Sequence, residues 1–196
     1  MSEVIEIEYK SLLTQEEYQQ LWQQYIADST TSFTQTNVYY DTEDFHLKDL
    51  GMGLRIRLLS TKAELTLKSP LITGEGLLET TDELALPIAQ QLVTKQIIPA
   101  EGAVAEKLKS LGINRHQLTV HGQLTTKRVE AQLEPTILLV LDESWYHGKH
   151  DYELEMEVSD PHLGKEYFVN FLKENAIDYK VAKNKIVRTF ESKMSN

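Results

Sequence analysis

The chain contains no cysteine. That excludes disulfides, thiolate metal centres and cysteine nucleophiles, and it fits a reducing compartment, so a cytoplasmic location is expected. No apolar run approaches the roughly 20 residues that a membrane helix needs. The opening Met1-Ser2-Glu3-Val4 is acidic and lacks the basic stretch and apolar core of a secretory leader. No Gly-Lys-Ser/Thr follows Gly51-Met52-Gly53 or Gly74-Glu75-Gly76, so these are turn glycines and not a phosphate-binding P-loop. There is no Gly-x-Ser-x-Gly nucleophile elbow. The six histidines are scattered, and His147-Gly148-Lys149-His150 reads as a hairpin tip, short of the ligands a zinc site requires. Positive charge is the minority: 20 Lys and Arg against 30 Asp and Glu, a net charge of −10. Such a chain repels nucleic acid unless its basic residues are concentrated, and no Lys/Arg run exists. No nucleic-acid or membrane partner is expected.

What is present is period-two alternation. Residues 3–10 set Ile5, Ile7 and Tyr9 against Glu6, Glu8 and Lys10, which predicts a strand. Further strands are predicted over 33–41, 53–59, 62–68, 76–84, 115–124, 127–134, 137–143 and 150–158. Helices are predicted over 14–28, with a Thr14/Glu17 capping box, over 88–97 after Pro87, over 101–111 before Gly112, after Asp160-Pro161, and over 183–192. The length, 196 residues, supports one good core, read as a single domain over 1–196. The class is α+β, with a mostly antiparallel sheet whose roughly eight strands are enough to close a barrel.

The unusual feature is that nearly every strand carries one ionic face. Glu6, Glu8 and Lys10 share a face, as do Arg55 and Arg57, then Glu64, Thr66 and Lys68, then Arg128, Glu130 and Gln132, then Glu153, Glu155 and Glu157. An open sheet with this face in water is the plain alternative. Against it, the faces are segregated by sign, with acid on the first strand and on a late one and Arg/Lys on the middle ones. A curled sheet with the ionic face inward would form a polar tunnel wrapped by helices. Such a lining is costly unless a ligand, a metal and water satisfy it. Alternating Arg and Lys suit phosphate oxygens, and clustered carboxylates suit Mg²⁺ or Mn²⁺.

Glu6-Ile7-Glu8-Tyr9-Lys10 resembles the Glu-x-Glu-x-Lys signature of the CYTH superfamily, the triphosphate tunnel metalloenzymes. The resemblance continues in order through Tyr39-Tyr40-Asp41-Thr42, Leu54-Arg55-Ile56-Arg57, Thr66-Leu67-Lys68, Lys127-Arg128, Leu141-Asp142, Glu153-Leu154-Glu155-Met156-Glu157 and Lys183-Asn184-Lys185. It is nearest to the small YjbK-like members of Firmicutes, which often carry an adenylate cyclase label. The resemblance implies an eight-stranded tunnel barrel that hydrolyses a bound triphosphate with Mg²⁺ or Mn²⁺. It implies metal ligands among Glu6, Glu8, Asp142, Glu153, Glu155 and Glu157. It implies triphosphate contacts from Lys10, Arg55, Arg57, Lys68 and Arg128, joined by Lys183 or Lys185 and by Arg188. Lys10, Arg57 and one of Lys183 and Lys185 would take part in catalysis. Glu79 and Glu83 are weaker candidates for added acid. Cyclisation of ATP, thiamine triphosphate hydrolysis and binding without turnover are the competing activities, and a homodimer is left open.

Overall fold

A computed structural model describes residues 2–27 and 29–194. The first predicted strand is two. β1 (Ser2–Glu6) and β2 (Glu8–Leu13) are separated at Ile7, where the segment changes partner. α1 (Gln15–Tyr25), β3 (Phe33–Thr42), α2 (His46–Asp49), β4 (Gly53–Leu58), β5 (Lys62–Pro70), β6 (Leu77–Ala85), α3 (Leu86–Lys95) and α4 (Ala103–Ser110) follow. After a 3₁₀ turn at Arg115–Gln117 come β7 (Leu118–Glu134), β8 (Ile137–Tyr146), β9 (Lys149–Val158), α5 (Pro161–Glu174) and α6 (Lys185–Met194). The strands predicted over 115–124 and 127–134 are therefore one. Thr125 and Thr126, read as a break, pair in register with Trp145 and Ser144, and the Thr126 and Ser144 hydroxyls lie 3.0 Å apart. Adjacent β-branched residues favour a continuous strand.

The nine strands form one sheet in the order β1-β6-β5-β4-β3-β7-β8-β9-β2, one more than the eight expected. The pairs β2–β9, β3–β4, β4–β5, β5–β6, β7–β8 and β8–β9 are antiparallel. By contacts the chain forms two compact units. One holds residues 2–5, 35–124 and 185–194 of the described chain, and the other holds 6–27, 29–34 and 125–184. Among the described residues no helix is long and apolar enough to cross a membrane.

In the first unit, alternate residues of three strands build the core. Val38 and Tyr40, Leu54 and Ile56, and Ala63, Leu65 and Leu67 are buried together with Ala89, Val104 and Leu108 from α3 and α4. Each large aliphatic side chain so buried contributes about 1.5–3 kcal/mol. The glycine that precedes α4 has no side chain to cap it, so Asp82 on β6 takes the free amides. Ala103 N–H donates to one carboxylate oxygen at 3.0 Å and Val104 N–H to the other at 2.9 Å. Gly102 has φ +116°, and a Cβ there would stand 2.5 Å from Asp82 Oδ2. Only glycine lets the carboxylate approach.

In the second unit, Val129, Leu139, Leu141, Leu154 and Met156 pack against Tyr18 and Leu21 of α1 and Phe168, Phe171 and Leu172 of α5. The capping box is present: Glu17 N–H donates to Thr14 Oγ1 at 3.2 Å and Thr14 N–H to Glu17 Oε2 at 2.6 Å. α1 stops at Tyr25 because Ile26 is extended; its expected end at Asp28 lies outside the described residues. α5 is capped by Asp160 and starts at Pro161, as the sequence predicts. It lies so close to β9 that a Cβ on Gly164 would meet Val158 at 2.5 Å.

Candidate active site

The face opposite each core is the ionic one. In the first unit, β4 presents Arg55 and Arg57, flanked in register by Tyr39 and Asn37 of β3 on one side and by Thr66 and Glu64 of β5 on the other. Lys68, Thr66 and Glu64 in turn stand opposite Glu79, Thr81 and Glu83 of β6. Two cations converge on one carboxylate: Lys68 Nζ lies 2.8 Å from Glu79 Oε1, and Arg55 Nη2 lies 3.7 Å from the same oxygen. Burial works against the charge of Glu79, but Lys68, Arg55 and Arg57 outweigh it and hold its carboxyl below the usual range. Glu83, by contrast, is exposed, with Lys62 Nζ at 3.9 Å.

The β3 row on this face is Gln35, Asn37, Tyr39 and Asp41, and all four are buried. The sequence pattern shows the row as alternate polar positions, yet neutral amides give no charge signal, so Gln35 and Asn37 escape a search for ligands. Asn37 Oδ1 accepts from Arg57 Nε–H at 3.0 Å. Asn37 Nδ2 and Arg55 Nε are buried with no hydrogen-bond partner. α6 lies on this face too. Ile186 packs over Gly53, and Phe190 meets Tyr39 edge-on at 6.5 Å. Lys185 opens that helix half-buried, and Arg188 is buried, so this run is not a solvated helix face.

The second unit reverses the arithmetic. Arg128 on β7 donates from Nε to Asp142 Oδ1 at 2.8 Å, from Nη2 to Asp142 Oδ2 at 2.6 Å, and from Nη2 to Glu155 Oε2 at 2.6 Å. Its Nη1 lies 4.0 Å from Glu157. Asp142 faces Arg128 on one side and the fully buried Glu153 on the other. Burial first, and then repulsion from Glu6, Glu155 and Glu130, push Glu157 up to about 7 against the pull of Arg128. Glu130, read in the sequence only as part of a charged face, thus belongs to the acid group. Glu8 pairs with Lys10 at 2.6 Å, and Lys10 also donates to Asn184 at 2.5 Å. Lys183 is exposed.

The acid set has the chemistry of a hard-cation site: several carboxylates close together, with the Glu157 carboxyl raised first by burial and then by its acidic neighbours. Among the described residues no three acidic or imidazole groups already stand in metal-holding geometry. The guanidinium of Arg128 bridges Asp142 and Glu155 where a cation would otherwise draw them together.

The CYTH domain model matches residues 4–190. The chain belongs to the CYTH family. Within it, the chain is 37% identical over 193 residues to a Bacillus subtilis (strain 168) protein described as "putative triphosphatase YjbK", covering 98% of each. A crystal structure of a "putative adenylate cyclase" from Bacillus halodurans is 36% identical, with a TM-score of 0.88 over 97% of this chain and all of that one. HpAC1 of Hippeastrum, described as a putative adenylyl cyclase with a dominant triphosphatase activity, is 24% identical. It shares the fold with a TM-score of 0.80 over 96% of each chain.

Proposed function

We propose that this CYTH chain hydrolyses a triphosphate, the activity carried by the descriptions of its relatives YjbK and HpAC1. One observation supports it above the others. Lys68 and Arg55 both approach the carboxylate of Glu79, and on the same wall Arg55 Nε and Asn37 Nδ2 are buried donors without acceptors. A wall of that kind calls for an oxygen-rich polyanion.

In this reading Arg55, Arg57 and Lys68 bind the phosphate oxygens and hold the chain of phosphates in line. Lys185 and Arg188 extend the cation set from α6, with Lys183 the alternative, and Lys10 and Arg57 face the reacting phosphoryl group. Glu6, Glu8 and Glu157 hold the divalent ion, with Asp142, Glu153 and Glu155 behind them. Mg²⁺ or Mn²⁺ there would supply Lewis-acid neutralisation of the phosphates. Arg128 keeps the buried carboxylates compensated and ready to turn toward that ion. Closure of the sheet into a barrel belongs to the same proposal: β1 and β2 stand at the two ends of the strand order yet are joined through Ile7 alone, which supports an order that closes on itself. A cytoplasmic, cysteine-free enzyme with a small-molecule substrate completes the reading.

The test is phosphate release from inorganic tripolyphosphate, ATP and thiamine triphosphate with Mg²⁺ and with Mn²⁺. Turnover of at least one, abolished by EDTA, is the expected result. Cyclic AMP and pyrophosphate from ATP would instead establish the cyclase reading, and no product from any substrate would refute both.

A further inference from the structure

We infer that Asn37 is an uncharged ligand of the anion taken by the first unit's wall and at the same time sets the aim of Arg57; this rests on the triphosphate reading above. Asn37 is 1% exposed and stands opposite Arg57 in the β3–β4 register. A guanidinium has only donors, so the amide atom that meets Arg57 Nε–H at 3.0 Å is the oxygen. That fixes the amide's orientation. Its NH₂ group points the other way and is buried with no partner.

A stranded buried donor is costly, and a fold that needed only to steady Arg57 has cheaper choices. An aspartate would accept the same bond, add an ion pair and leave no donor behind. The asparagine retains two N–H groups that nothing in the wall satisfies. Arg55, on the neighbouring strand and the same face, strands its Nε in the same way. Two unmatched donors on one face specify the missing partner: a group with several acceptor oxygens and no hydrogens of its own. Phosphate oxygens have that character. The amide adds a hydrogen bond without adding charge, so it serves a phosphate oxygen without binding another carboxylate of the wall as an ion pair.

The test is titration of inorganic tripolyphosphate into the wild-type chain, N37L, R57A and the N37L/R57A double variant, with EDTA and again with Mg²⁺ at low temperature, each variant's fold checked by circular dichroism and a thermal melt. N37L should bind about 10- to 100-fold more weakly than wild type, the range for a lost hydrogen bond to a charged acceptor. Adding N37L to R57A should weaken binding about tenfold more, because the amide's own contact survives the loss of the arginine. N37S replaces N37L throughout if the leucine variant does not fold. Wild-type affinity in N37L overturns the inference. So does the absence of any further loss in the R57A background, which would leave Asn37 a positioning residue alone. A wild-type chain that binds no tripolyphosphate under either condition overturns this inference and the triphosphate reading together; binding unaffected by N37L overturns only this one.

Discussion

The two units use the same construction and opposite charge accounting. Each lays antiparallel strands with an apolar face under two helices and an ionic face opposite. In the first unit one buried carboxylate, Glu79, is shared by Lys68 and Arg55. In the second, one buried guanidinium, that of Arg128, is shared by Asp142 and Glu155. Each wall thus centres on one buried ion held by two of the opposite sign. A buried charge must be compensated or it costs several kcal/mol; in the first wall the buried donors Arg55 Nε and Asn37 Nδ2 lack an acceptor, and in the second the Glu157 carboxyl is pushed up to about 7. The difference teaches what each wall would favour: acceptor oxygens at the first, positive charge at the second.

On that contrast, removing a shared ion such as Arg128 should hurt stability, and removing a ligand-facing ion such as Arg57 should hurt function. R128A has the largest expected effect. It leaves Asp142 and Glu155 buried without their cation, so urea unfolding should show a loss of about 3–5 kcal/mol. A loss below about 1 kcal/mol would mean that water already shields those carboxylates. R57A comes next, in the other currency: phosphate release should fall by about 10²- to 10³-fold while the fold survives. Equal losses of turnover and of melting temperature would break the distinction.

E157Q sharpens it through pH. The Glu157 carboxyl is raised from an ordinary 4.5 to about 7. Between those values the folded chain binds the proton that the unfolded chain has released, so stability falls as pH rises through this window. E157Q removes that penalty. It should melt a few degrees above wild type at pH 8, with the gap closing below about pH 5. Mg²⁺ should raise the wild-type melting temperature more than that of the variant. A variant that melts lower at pH 8 would put Glu157 in a stabilising pair instead. The smallest effect belongs to D82A, which uncaps α4 and should cost about 1 kcal/mol with turnover unchanged.

The charged-face pattern was legible because strand periodicity is local. Arg55, Arg57, Glu64, Lys68, Arg128, Glu153, Glu155 and Glu157 all sit on the face their alternation assigns. Helix caps were legible for the same reason, as at Thr14 and Asp160. What escaped is set by partners distant in the chain. Ile7 breaks an unbroken alternation only because β1 joins β6 while β2 joins β9. Asp82 caps a helix that starts 21 residues later, across Pro87 and Pro99. Asn37 carries no charge, and its meaning depends on an atom of Arg57 and on a donor with no mate. The roles proposed for Lys10, Lys183, Lys185 and Arg188 come from the family resemblance, and periodicity alone does not reach them.

The break at Ile7 also bears on how the chain is made. Ser2 to Leu13 are synthesised well before their partner strands, since Glu8 pairs with Glu157 and β1 waits for β6. Until β9 emerges, β2 has no strand to pair with along that edge, and an unpaired edge is open to wrong pairing. Refolding should be slow for a chain of this size, since the β2–β9 pairing joins residues as far apart as Glu8 and Glu157.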